Sequence, residues 1–362
     1  LETYNPPHKL YKELKAKLAE LRGKTDEGHK IADGETLRFV KPTKKNPNPA
    51  VMDDARVPAL RAKLGVTENA ADTHYDATVA AAVRKFQAAN ELKATGMLDN
   101  HTVAALNGPR NDRKIDIVRV NMERWRWLPR DLGERYVMVN IPEFTLRLVE
   151  DGKVVHSARV VVGKPQTQTP VFSGTMKYLV VNPYWNVPPS IAAAEIRPHL
   201  IANPHYLDSQ NMEMLAGGKV VNAAAIDWTT TNINNFAVRQ KPGPSNALGK
   251  IKFLFPNEHN VYLHDTPSKS LFARAFRAYS HGCVRVQDPL AFAGALVETN
   301  PELSRASLEG LFGPKEKWVT LKNHIPVHLM YFTLRVDENG TIRSYGDVYG
   351  HNKKLIELLN AQ

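Results

Sequence analysis

The strongest constraint on the fold is a change of periodicity at Gly108-Pro109. Before it, apolar residues recur at helical spacing. Tyr11 to Arg22 (YKELKAKLAELR) sets Leu14, Leu18 and Leu21 on one face, as an amphipathic helix does. Residues 24–54 then turn polar and rich in Pro, Lys, Asn and Asp, which predicts a linker. From Val57 to Asn107 come VPALRAKLGV, YDATVAAAVRKFQAANEL, a Thr95-Gly96 turn and LDNHTVAALN. Leu60 and Leu64 line the first helix, and Val79, Val83 and Phe86 the second, with Asp76 as its cap. Asn100 is read as the cap of a third helix carrying Val103 and Leu106. Each helix has one apolar stripe, so the three must bury them against each other.

After the boundary the pattern is that of strands. RYVMVNI, FTLRLVE, KVVHSARVVVG, MKYLVVNP, KIKFLF and NVYLHD are short β-branched and aromatic runs bounded by turn residues, with Asp151-Gly152 as a hairpin turn. VHLMYFTLRV, a turn at Asn339-Gly340 and a helix over KKLIELLN complete the chain. The stretch between Ser190 and Gly249 is long and mixed, opening on helix-like IAAAEIRPHL; inside a β domain such a connection predicts a lid or inserted subdomain. The expected fold is therefore multidomain α+β: an N-terminal helix and linker over 1–54, a three-helix module over 55–108, and a mainly-β domain over 109–362 with a capping subdomain at about 198–248. A length of 362 residues suits this division, since single cores seldom grow past about 250 to 300 residues.

Composition narrows the function. No apolar run reaches the roughly 18 residues of a membrane span. The net charge of +11 draws the chain toward polyanions, but the basic residues are spread without a Lys/Arg block or a basic-aromatic strand, so nucleic acid is not the expected partner and cell-wall polymer fits. The 13 histidines form no HExxH or similar pair, so a metal-dependent hydrolase is not expected. The chain opens at Leu1 without a basic, apolar, small-residue leader; a mature form is expected, with inner-membrane anchoring through a preceding segment left open. Cys283 is the single cysteine, which excludes an intramolecular disulfide and a thiolate metal cluster.

The surroundings of Cys283 carry the chemistry. In VYLHDTPSKSLFARAFRAYSHGCVRVQDPLAFA a strand delivers His264, and Ser280-His281-Gly282-Cys283 follows sixteen positions later, before Asp288-Pro289 open a helix as N-cap and N1. A thiol is a strong nucleophile as its thiolate, and an imidazole can take its proton; His264 and His281 are both candidates for that base. Gly282 frees the backbone to turn its amides toward an oxyanion, which points to acyl transfer. Arg285, two residues beyond the cysteine, offers a planar fork to a substrate carboxylate from the same strand face.

This segment resembles the L,D-transpeptidase family with its YkuD-type catalytic domain, whose signature is a His, about fifteen residues, then Ser/Thr-His-Gly-Cys. Phe86-Gln87, the Gly96 turn and Ala105-Leu106-Asn107 resemble its three-helix peptidoglycan-binding domain. NMERWRWLP (121–129), Thr169-Pro170-Val171-Phe172 and NPYWNVP (182–188) are similar to the larger YcbB-like branch of Gram-negative enzymes, which carries a capping subdomain. The resemblance implies Cys283 as nucleophile, His264 as base and the Asp265 backbone carbonyl as the third member. It further implies His281 and Gly282 at the oxyanion region, and Arg285, Ser280, Tyr262, Trp185 and Asn186 along the substrate groove. Branch members often have Ser where His281 stands. The implied activity is 3-3 cross-linking of peptidoglycan tetrapeptide stems, in cell-wall biogenesis and cell shape in the periplasm, with carbapenems as inhibitors and no cofactor. Carboxypeptidase action, attachment of a D-amino acid or protein, and a non-catalytic wall-binding protein are the alternatives.

Overall fold

The computed structural model describes residues 5–23, 30–90, 92–107, 111–299, 303–336 and 341–361. The Gly108-Pro109 boundary and the Asn339-Gly340 turn lie outside them. The chain divides into two compact units, one built mainly from Lys9–Met122 and the other from Glu123–Arg335 with Ile342–Leu358.

The first unit contains helices α1 (Lys9–Gly23), α2 (Val57–Leu64), α3 (Ala77–Ala89) and α4 (Asn100–Leu106), with α5 (Asn111–Arg126) running out of it. Val57, Leu60, Tyr75, Val79, Val83, Leu98, Val103 and Leu106 form one buried cluster, joined by Ile31 and Leu37 from the polar stretch read as linker. Asp76 caps α3 through the Val79 N–H. The cap of α4 is Asp99 and not Asn100: its carboxylate takes both the N–H and the hydroxyl of Thr102, while Asn100 is the first helical residue. Helix α5 was not visible as a helix in the sequence, where charges interrupt the apolar stripe. Its end explains RWRW: Trp125 is buried and stacked on Phe332, and Trp127 is exposed.

The second unit contains strands β1 (Arg135–Asn140), β2 (Thr145–Glu150), β3 (Lys153–Gly163), β4 (Phe172–Val181), β5 (Trp185–Asn186), β6 (Met212–Ala216), β7 (Lys219–Val221), β8 (Ala237–Gln240), β9 (Ile251–Leu254), β10 (Leu263–His264), β11 (Ala278–Ser280), β12 (Val284–Val286) and β13 (Lys317–Met330). A nine-stranded sheet runs β11-β3-β12-β10-β9-β4-β13-β1-β2, and the β2–β3 hairpin closes it on itself. Val137, Val139, Leu146, Leu148, Phe253, Leu263, Val284 and Val286 face its interior, together with Phe292 and Leu296 from the helix Pro289–Val297. Asp288 caps that helix as expected, accepting from the Ala291 N–H.

The insertion is a separately packed subdomain, and it begins before residue 198. Its sheet, β5-β8-β6-β7, starts at Trp185, and its helical part starts at Pro189, with a π-helical turn over Ala192–Ile196 ahead of Arg197–Ala202. Val187, Ile196, Leu200, Met214, Trp228 and Val238 form its own core. Sequence spacing missed the early start because a two-residue strand and a π turn have no periodicity of their own.

Arg61 shows what holds the first unit together. It is 1% exposed; its guanidinium donates to Asp76 at 2.6 Å and to the carbonyls of Glu68, Asp72 and His74. Removing one partner of a buried ionic network costs about 3 to 5 kcal/mol. Arg61→Met is therefore expected to lower the denaturant midpoint of this unit, read by far-UV circular dichroism; an unchanged midpoint contradicts the assignment.

Candidate active site

Three short strands position the site. Strand β10 pairs parallel with β12, matching Leu263 to Val284 and His264 to Arg285, and antiparallel with β9, matching His264 to Lys252. Side chains alternate across a strand. With Leu263, Val284 and Phe253 in the core, Lys252, Tyr262, His264, Cys283 and Arg285 share the opposite face. The two residues of the sequence motif thus share one sheet face, diagonally across adjacent strands.

His264 is buried, and its Nδ1 bonds the Asp265 carbonyl. A carbonyl only accepts, so Nδ1 carries the proton and Nε2 keeps its lone pair. Burial first, and the Arg285 charge second, push its pKa down to about 3. The imidazole is therefore neutral at neutral pH. The backbone that presents it is set by Gly249, which adopts a left-handed φ of +59°; a Cβ there would lie 2.3 Å from the Asp265 carboxylate, which accepts from the Lys250 N–H.

Cys283 is half-buried. Burial raises its pKa, opposed by hydrogen bonding from Tyr262 and by the charges of Lys252 and Arg285. The thiol contacts the carbonyl of Asn260 at 3.8 Å, and among the described residues no hydrogen bond joins it to His264. Asn257 holds that carbonyl in place: its amide donates to Phe255 and Val261 carbonyls and accepts the His259 and Val261 N–H groups. Lys252 sits over the Tyr262 ring at 4.0 Å. Arg285 has a buried Nε without a partner. Among the described residues neither cation makes an ion pair; burial lowers the pKa of both, and Glu316 acts on Lys252 only through space.

The loop before the cysteine is braced from below. Gly282 has φ +122°, its N–H donates to the Ser280 hydroxyl at 3.1 Å, and its carbonyl accepts from the Thr169 hydroxyl at 2.7 Å. The Ser280 hydroxyl in turn bonds the Cys283 carbonyl. Two expectations change as a result. Ser280 is buried and occupied in holding the loop, so it is not a groove residue, and the Gly282 N–H is already taken and cannot be an oxyanion donor in this arrangement. The N–H of Cys283 makes no hydrogen bond among the described residues. His281 points away to Glu195, on the π turn of the capping subdomain, at 2.6 Å. Trp185 and Asn186 pair with β8 in the capping sheet, and Trp185 packs on that subdomain's core. Lys252, Thr169 and Asn257 were missed by sequence reasoning. The alternation in KIKFLF puts Lys252 opposite Phe253, and Thr169 lies in the Thr169-Pro170-Val171-Phe172 run, but neither signal placed its residue at the site. Among the described residues no group of three or more His, Cys, Asp or Glu could hold a metal ion.

A thiol, a neutral imidazole of fixed tautomer and two unpaired cations equip this face for nucleophilic chemistry at a carbonyl beside an anion. Residues 134–302 match the family model described as "L,D-transpeptidase catalytic domain", of YkuD type, and residues 62–106 match "Putative peptidoglycan binding domain". Residues 134–302 are thus similar to a YkuD-type L,D-transpeptidase catalytic domain, and residues 62–106, earlier in the sequence, to a peptidoglycan-binding domain. A "Putative L,D-transpeptidase" of Haemophilus influenzae is 35% identical over 238 residues, 65% of this chain and 48% of that protein, so the match spans about half the relative's length. Among solved structures, an L,D-transpeptidase from Mycobacterium smegmatis is 15% identical with TM-score 0.27, covering 54% of this chain and 58% of that one. L,D-transpeptidase 3 from Mycobacterium tuberculosis, solved with a faropenem-derived adduct, is 14% identical with TM-score 0.27, covering 54% and 60%.

A raised thiol pKa beside unpaired cations has a measurable sign. The rate of Cys283 alkylation by iodoacetamide is expected to keep climbing above pH 8, with no plateau near pH 7, because the thiolate forms late. Lys252→Met, which removes a stabilising charge, is expected to slow it at pH 7.5 by roughly fivefold, equivalent to about 1 kcal/mol of attraction. A plateau near neutrality, or an unchanged rate in the variant, contradicts this electrostatic picture.

Proposed function

We propose that the chain is an L,D-transpeptidase of the cell envelope that acts on peptidoglycan stem peptides, with Cys283 as nucleophile and His264 as general base. The observation that carries this reading is the pairing of β10 with β12, which puts both residues on one sheet face while the Asp265 carbonyl fixes the imidazole tautomer. A neutral thiol and a neutral imidazole make up the resting pair. Proton transfer to Nε2 then accompanies attack, and an imidazole whose pKa is low when free gains basicity as negative charge develops beside it. The contact with Asn260 is a resting position, since catalytic hydrogen bonds are commonly long before substrate arrives.

Sulfur attacks the carbonyl of the third, L-centred residue of a tetrapeptide, and the Cys283 N–H receives the developing oxyanion. The C–N bond to D-alanine breaks, the departing amine takes the proton from His264, and a thioester remains on Cys283. Arg285 and Lys252 hold the carboxylate of the leaving D-alanine. An amine of a second stem then attacks the thioester, loses its proton through His264 and restores the thiol, giving a 3-3 cross-link. The module at 62–106 holds the enzyme on the polymer, and the net charge of +11 favours an anionic wall. No helix among the described residues is long and apolar enough to cross a membrane.

Incubation with disaccharide tetrapeptide is expected to yield a cross-linked dimer and free D-alanine, and Cys283→Ala to abolish both. Tripeptide without dimer would make hydrolysis the reaction. A carbapenem is expected to add its mass to the wild-type chain and not to the Cys283→Ala variant; a wild-type chain that gains no mass and releases no D-alanine would leave a wall-binding protein.

A further inference from the structure

A cavity of about 490 Å³ lies on the catalytic unit, a size typical of small-molecule sites. Pro170, Val171, Leu355 and Leu358 make its walls apolar, and Trp127 flanks them. Trp127 and Leu358 are 54% and 55% exposed, which leaves an apolar rim open to solvent.

At the cavity's lining is a cation that the fold leaves incompletely satisfied. Arg124 is 3% exposed; its Nη1 donates to the Thr333 hydroxyl at 3.2 Å, and its Nη2 is buried without a hydrogen-bond partner. Its guanidinium stacks over Tyr331 at 4.9 Å, and burial pulls its pKa down to about 10. Asp347 acts on it through space but is otherwise engaged, its carboxylate accepting from the Tyr331 hydroxyl and the N–H groups of His351 and Asn352. Lys354 and His351 also line the cavity, and its lining contains no Asp or Glu. A buried guanidinium with an idle donor is costly, and a carboxylate is the group whose planar geometry satisfies it.

We propose that this cavity binds a small amphipathic carboxylate, with its anionic head on Arg124 and Lys354 and its apolar body between Trp127, Val171 and Leu358. The site stands apart from the chemistry proposed at Cys283. It is nevertheless joined to the catalytic loop, because Thr169 lines the cavity and its hydroxyl donates to the Gly282 carbonyl. Two sources offer this chemistry: a medium-chain acyl acid, and the C-terminus of an apolar peptide.

Titration calorimetry on the full chain tests the assignment, with octanoate and N-acetyl-leucine as probes for the two sources. Octanol and N-acetyl-leucinamide are their neutral counterparts. At least one carboxylate is expected to bind roughly tenfold or more tightly than its neutral form, the margin of a charge-assisted pair; the tighter one names the source. Arg124→Met is expected to erase that preference. Leu358→Glu, at the exposed rim, is expected to weaken both carboxylates by a similar factor without changing the rate of Cys283 alkylation. If Arg124→Met does not fold, the wild-type preference and the rim variant decide. No carboxylate binding up to about 10 mM, equal binding of charged and neutral probes, or retained preference in folded Arg124→Met overturns the proposal.

Discussion

The parallel pairing of β10 with β12 is the constraint on which the rest of the site depends. Parallel strands need a long crossover, and here the segment from Asp265 to Arg277 returns the chain to the sheet at β11, from which His281 to Cys283 turn into β12. The register matters more than the proximity. A slip of one residue would send either His264 or Cys283 into the core cluster that holds Leu263 and Val284, and the thiol and imidazole would face opposite sides. Burial of Leu263, Val284 and Val286 therefore keeps Cys283 and His264 on one sheet face, an arrangement that no direct bond between the two maintains.

The electrostatics of this face follow from its half-buried position. Burial disfavours charge on the thiol, the imidazole and the two cations alike, and among the described residues no carboxylate is ion-paired with Lys252 or Arg285, Glu316 acting on Lys252 only through space. An arrangement of this kind is costly while empty and favourable when an anion enters. Catalytic power in the proposed reaction comes from that imbalance, because sulfur gains charge only as it attacks. Bracing from behind, through Thr169, Ser280 and the Asp265 carbonyl, keeps the reacting groups from relaxing the imbalance by moving.

The Ser280 to Cys283 motif was legible in the sequence because its residues are contiguous, with His264 at a fixed spacing before it. Ser280 to Cys283, the capping of the next helix by Asp288 and the hairpin at Asp151-Gly152 depend on neighbours along the chain, and so does the strand pattern of the domain. Lys252 and Thr169 join the site through sheet register and a loop contact, which single-sequence periodicity does not encode. Ser280 was read as a groove residue because its burial depends on the fold of residues 164–169. Trp185 and Asn186 were read the same way, and their place is set by pairing with a strand some fifty residues later in the chain. Arg124 gave no signal, since its burial arises from the packing of Tyr331 and Thr333 around the end of a helix the sequence pattern did not reveal.

His264 waits as a neutral imidazole with its proton on Nδ1 and its lone pair on Nε2. Nitrogen-15 NMR of the histidine side chains, with the His264 signals assigned by their loss in His264→Gln, reads that state directly. A neutral, Nδ1-protonated ring is expected throughout the range from pH 5 to 8, in keeping with a pKa of about 3. An imidazolium at pH 7, or a neutral ring with its proton on Nε2, would contradict it, because neither form can accept the proton of Cys283.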